Sequence, residues 1–201
     1  MTIAGESARL EAERAKALID AHLAAADAER VRAENFLIAS DTEKRTARAL
    51  APLAAAGYHL LADRRWPRSR SAQVDLVVIG PSGVWIVDTK AWRDMTIAVG
   101  RVYRDQEDVT ETFEALESLL ETTRQALADV GLAPGEVHLV VAWSGRKNVQ
   151  AEVGAVEVVG DADLLRRITR PGQRLSDVAI DSVLQSAVDL FPPVSAPAPI
   201  S

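Results

Sequence analysis

The stretch from Gln73 to Lys90, QVDLVVIGPSGVWIVDTK, constrains this 201-residue chain more than any other. Two runs rich in Val, Ile and Trp flank Gly80-Pro81-Ser82-Gly83, the composition of two β-strands joined by a tight turn. With those four residues as the loop, Ile79 faces Val84, Val77 faces Ile86, Asp75 faces Asp88 and Gln73 faces Lys90. Side chains alternate along a strand, so Gln73, Asp75, Asp88 and Lys90 share one face, with Val77 and Ile86 beneath them. The other face, with Val74, Leu76, Val78, Trp85 and Val87, reads as core.

Two carboxylates placed directly opposite each other repel. At ~5 Å and an effective dielectric of about 20, Coulomb's law sets that cost at roughly 3 kcal/mol. A shared proton, the nearby Lys90 or a bound divalent cation would offset it. The chain has no cysteine, and His22, His59 and His138 lie far apart without ligand spacing. An oxygen donor set of this kind suits Mg²⁺ or Mn²⁺ better than zinc. Such a site can activate water and neutralise charge on a phosphate oxygen, with Lys90 holding the water or steadying the transition state. The two acids also read as ordinary strand-end charges in another register, since a slip of one residue sends them to opposite faces.

Elsewhere the pattern alternates between helix and strand. Residues 5–56 are rich in Ala, Glu and Arg, with Pro52 the first proline and no glycine between Gly5 and Gly57. Ile3, Leu10, Ala17, Ala24, Val31 and Ile38 recur every seven residues, but Arg14, Ala21, Ala28 and Asn35 make the seam thin. That pattern favours a long helix that docks on a partner, a second copy included, or on its own domain over an independent coiled coil. Ser40-Asp41-Thr42-Glu43 has capping-box spacing, which allows either a second helix starting there or one continuous helix. Strands are expected over 58–64, 73–79, 84–90, 96–99, 101–104, 137–143 and 156–159. Helices are expected after Asp108, ending before Gly131, and after Asp161 and Ser176. The order predicts an α/β domain over 39–191, with a mixed central sheet flanked by helices, after a helical extension over 1–38. The end, 192–201, is expected to be a disordered tail.

The hydrophobic content of 48% and charged content of 26% are ordinary for a globular domain. A net charge of −6 gives no general prior for nucleic acid, so any such contact has to come from a local basic patch. Arg64, Arg65, Arg68 and Arg70 around Trp66 form one, immediately before the hairpin; an Arg-rich surface loop is its plainer reading. With no cysteine, no leader-like N-terminus and no apolar run near the roughly 20 residues of a bilayer span, the expectation is a cytoplasmic protein.

The Gln-x-Asp, Gly-Pro-Ser-Gly and Asp-Thr-Lys signatures, at their spacing within Gln73–Lys90, resemble the core motif of the nuclease-related domain (NERD) family. That family belongs to the PD-(D/E)xK, or restriction-endonuclease-like, superfamily. Thr42-Glu43 is similar to the family's Gly-Glu helix, and 137–145 to its later core strand, so the likeness covers roughly residues 39–170. The resemblance implies Asp75, Asp88 and Glu43 as metal-binding acids, Lys90 as the catalytic lysine and Gln73 as a supporting polar residue. Mg²⁺ or Mn²⁺ would be the cofactor and DNA the substrate of a phosphodiester hydrolase. Ala39 and Thr42 stand where the family carries glycines, so Glu43 also reads as the capping-box residue. That departure and the acidic charge leave open an inactive nuclease-fold protein that binds nucleic acid or another protein.

Overall fold

The computed structural model describes residues 6–69 and 72–194. It divides after Ser40 into two compact units. Helix α1 is Glu6–Leu50, unbroken through Ser40. Of the two alternatives the sequence allowed, the continuous helix is the one formed, and the capping box goes unused. A cap acts only where the preceding backbone leaves the helix, and the flanking Ala, Glu, Arg and Leu give it no reason to leave.

In the first unit every side chain from Glu6 to Ile38 is exposed. Leu10, Leu18, Ile19, Leu23 and Val31 lie at angles spread around the helix, not along one stripe. Ion pairs four residues apart, Arg9–Glu13 and Arg30–Glu34, line this surface.

The second unit opens with the last turns of α1, which bury Thr42, Thr46 and Leu50 at four-residue intervals. A 3₁₀ turn, Ala51–Ala56, follows. The strands are β1 His59–Arg65, β2 Gln73–Gly80, β3 Gly83–Lys90, β4 Met95–Ala98, β5 Arg101–Arg104 and β6 Glu107–Asp108. Helix α2, Thr110–Ala128, leads to β7 Val137–Trp143, β8 Gln150–Val153 and β9 Val156–Gly160. Helices α3, Leu164–Thr169, and α4, Asp177–Leu190, end the described fold. The main sheet has six strands in the order β1-β2-β3-β7-β9-β8, and β4-β5-β6 form a small separate sheet.

The β1/β2/β3 part is antiparallel, β3/β7/β9 is parallel and β8 returns antiparallel on β9. A parallel core needs cover on both faces. On one side Val77, Ile79, Ile86, Leu139 and Val141 meet Phe113, Leu116 and Leu120 of α2 and Ile180 and Val183 of α4. On the other, Val78, Trp85, Val87 and Val140 meet Leu50, Leu53, Leu164 and Ile168. Each aliphatic side chain buried this way contributes about 1.5–3 kcal/mol.

The caps follow the local chemistry. At α4 the N-cap Ser176 Oγ accepts from the Ala179 N–H at 3.3 Å, whereas at α2 the N-cap position is Val109 and Asp108, one residue earlier, accepts from the Thr110 N–H at 3.0 Å. Asp161 does not cap α3; its Oδ2 accepts instead from the Gly145 N–H at 2.9 Å, anchoring the β7–β8 loop. Of the tail expected from 192 onward, Pro192–Val194 lies along β1, where the Arg65 N–H donates to Pro192 O and the Val194 N–H to Asp63 O. Residues 195–201 lie outside the described residues. Among the described residues no helix is long and apolar enough to cross a membrane.

Candidate active site

The hairpin fixes the site. Gly80 pairs with Gly83 across a Pro81-Ser82 turn, and Ile79↔Val84, Val77↔Ile86 and Leu76↔Val87 follow in register. Only glycine serves at position 83: its φ is +118°, and a Cβ there would stand 2.4 Å from the Glu136 carbonyl oxygen. Ser82 Oγ accepts the Trp85 indole N–H at 3.0 Å, tying the turn to the buried ring.

Beyond Leu76↔Val87 the paired ladder stops, and the acids take over. Asp75 Oδ2 accepts the Thr89 N–H at 2.6 Å, in place of a strand-to-strand bond. Asp88 Oδ2 lies 2.8 Å from Lys90 Nζ, with both side chains less than one-fifth exposed. That contact is an ion pair without hydrogen-bond alignment, so Asp88 Oδ2 stays buried with no hydrogen-bond donor. Lys90 Nζ also sits 5.6 Å above the Trp92 ring, and Lys90 O accepts the Ser144 N–H from the end of β7.

Burial first, then the charges of Asp88 and Glu43, push the Asp75 carboxyl up to about 7, against the Thr89 hydrogen bond and Lys90. Glu43, half-buried on α1 beside Thr42, is raised by burial, then by Asp63 and Asp88, with Lys44 and Lys90 opposing. Glu43, Asp75, Asp88 and Lys90 therefore share one electrostatic neighbourhood.

Asp63 is the acid that sequence reasoning missed. The β1–β2 register runs from Ala62↔Leu76 to Arg64↔Val74 and skips Asp63, which has φ +51°. Its sequence signal was slight, an acid within the expected first strand. Its carbonyl accepts the Val194 N–H from the chain end that reaches β1.

Gln73 is exposed and pairs with Arg65, and its carbonyl accepts the Trp66 indole N–H at 2.5 Å. Val74 packs in the layer of Val77 and Ile79, not with Leu76 and Val78, so strict alternation breaks between β2's first residues and its centre. Arg64 Nη1 donates to Phe191 O at 3.5 Å and its Nε is buried without a partner. Arg65 is half-buried at the end of β1, Arg68 is exposed at φ +60°, and Arg70 lies outside the described residues. Trp66 is partly buried, with its ring packed against the core.

The donor chemistry suits a hard divalent cation: two carboxylates, one with a buried oxygen lacking a hydrogen-bond donor, and a third acid in electrostatic range. Among the described residues no three His, Cys, Asp or Glu side chains are already gathered closely enough to hold a metal ion. Asp75 and Asp88, with Glu43 in electrostatic range, are the carboxylates that could hold such a cation.

The sequence model of the nuclease-related domain matches residues 38–144, more than half of the chain and including the hairpin, Glu43 and β7. The chain belongs to the nuclease-related domain family. Membership agrees with the fold, whose mixed sheet carries the paired acids and the lysine on adjacent strands. No curated protein and no solved structure matches this nuclease-related chain at a significant level.

Proposed function

We propose that this nuclease-related domain hydrolyses phosphodiester bonds in DNA with a divalent metal, at Asp75, Asp88 and Lys90. The observation that carries this reading is the buried Asp88–Lys90 ion pair, 2.8 Å apart, on the strand next to Asp75. Asp75 and Asp88 would hold Mg²⁺ or Mn²⁺, with Glu43 as the third acid. When bound, the cation supplies Lewis-acid stabilisation to a phosphate oxygen and lowers the pKa of water. The Lys90 ammonium offsets negative charge that builds on the phosphate and holds the attacking water in hydrogen-bond reach. The Asp75–Thr89 hydrogen bond fixes one carboxylate, so the site needs little rearrangement on β2. Gln73 supports the rim, and Arg65 and Arg68 extend a basic approach for DNA. The expected experiment is cleavage of a DNA duplex and single strand with Mg²⁺ or Mn²⁺. Activity should fall roughly 10²–10⁴-fold in Asp88→Ala and in Lys90→Ala. A folded protein that cuts neither DNA nor RNA with either metal contradicts the proposal.

A second reading, a nuclease-fold module that binds without turnover, is favoured by the ungathered third ligand. In that case the exposed apolar residues of α1 serve a helical partner or a second copy. Nucleic-acid affinity would be steeply salt-dependent without any cleavage.

A further inference from the structure

Residues 145–174 carry six Lys and Arg against four Asp and Glu, in a chain whose net charge is −6. The fold gathers three of these arginines. Leu164 and Ile168 of α3 are buried against the sheet, and Arg166, Arg167 and Arg170 line a cavity of about 310 Å³ with Asn148 and Gln150.

Arg167 is fixed: its guanidinium forms two bonds to Glu157, at 2.5 and 2.6 Å, and lies 5.0 Å over the buried Trp85 ring. Arg166 pairs with Asp163 at 2.8 Å. Arg170 has no side-chain partner among the described residues. Three guanidiniums against two carboxylates leave one positive charge, which matches the single negative charge of a phosphodiester. Asp163 also lines the cavity, but one of its oxygens holds Arg166 and the other accepts the Asn148 N–H at 2.5 Å.

The loop wall is held in place. A Cβ at Gly160 would stand 2.4 Å from Arg146 O, so only glycine lets the β7–β8 loop cross the end of β9 this closely. The Asn148 and Gly145 amides bonded to Asp163 and Asp161 then anchor that loop.

Strand register relates the cavity to the hairpin. Val159, in the cavity lining, pairs with Ala142, and Ala142 pairs with Thr89, which stands between Asp88 and Lys90. Two strand spacings of ~4.8 Å separate the Val159 and Thr89 backbones. Arg167 and Val159 stand on the Trp85 face of the sheet and Asp88 and Lys90 on the Ile86 face, so a nucleic-acid strand touching both crosses the carboxyl ends of β3, β7 and β9. Planar guanidiniums suit phosphate oxygens geometrically.

We propose that this arginine cavity holds a backbone phosphate of the same nucleic-acid strand that reaches Asp88 and Lys90. The proposal rests on the nuclease reading for its ligand, but binding tests it separately from cleavage.

Anisotropy of a labelled oligonucleotide, in chelator so that nothing is cut, is measured for the full chain against salt. In the Arg166→Gln/Arg170→Gln double variant the slope of log affinity against log salt should become shallower by about one to two. If that variant melts below the wild type, Arg170→Gln alone, which breaks no ion pair, should lower the slope by about one. Lys90→Ala serves as control: loss of cleavage with the arginine effect intact would separate the two sites. An unchanged slope in a folded arginine variant overturns the proposal. It is equally overturned if inorganic phosphate binds through these arginines while the oligonucleotide slope is unchanged, which would assign the cavity to a free anion.

Discussion

At the scale of single residues the cost of the site is concentrated on Asp75. In the metal-free protein its carboxyl takes up a proton near 7, against 3.8 for the unfolded group. Between those values the folded state binds more protons than the unfolded chain. Stability from this group is therefore highest below about 4 and declines as pH rises to about 7. Asp75→Asn keeps an oxygen for the Thr89 N–H and removes the charge. The metal-free variant should melt several degrees above the wild type at pH 8, and the gap should shrink steadily as the pH falls towards about 4. Thermal unfolding at the two pH values, in chelator, measures this; an equal shift at both would mean that Asp75 carries no buried-charge penalty. Raising the pH should also strengthen divalent binding to the wild type, because the cation competes with that proton.

At the scale of elements the β2–β3 hairpin is the rigid part. Gly83→Ala places a methyl group against the Glu136 carbonyl at a φ that non-glycine residues rarely adopt. It should destabilise the protein by about 3 kcal/mol or more, read as a lowered denaturant midpoint; a wild-type midpoint would contradict the tight contact between the turn and the segment before β7. This hairpin was legible in the sequence because apolar runs and a Gly-Pro-Ser-Gly turn leave few alternative registers, and Ile79↔Val84 is formed as expected. Less local features were not legible. Val74 leaves its expected layer, and Asp63 adopts positive φ on an edge strand whose backbone bonds Pro192–Val194; neither spacing nor composition encodes these tertiary contacts. Strand β8, four residues alternating polar and apolar, carries too short a pattern to stand out. Continuity of α1 through Ser40 depended on helix propensity outweighing a cap. The nearness of Glu43 to Asp63, Asp75 and Asp88 is a tertiary fact that no spacing in the sequence contains.

At the scale of the whole molecule the charges are unevenly used. The net charge of −6 coexists with unpaired arginines near the hairpin and at α3, so affinity for a polyanion depends on local patches and on salt. The apolar side chains on α1 before Ala39 are exposed and contribute no burial. A chain lacking residues 1–38 should keep its cooperative melting within a few degrees of the full protein, and scattering should report any loss of self-association. A collapse of melting would instead assign those residues a structural role. The central claim is that Asp75 and Asp88 jointly hold a divalent cation beside Lys90. Calorimetric titration of the chelator-stripped full chain with Mn²⁺, wild type against Asp88→Ala, tests it most directly. Saturable binding in the wild type that disappears in a folded Asp88→Ala variant is the predicted result; equal binding in both proteins, or none in the wild type, would contradict it.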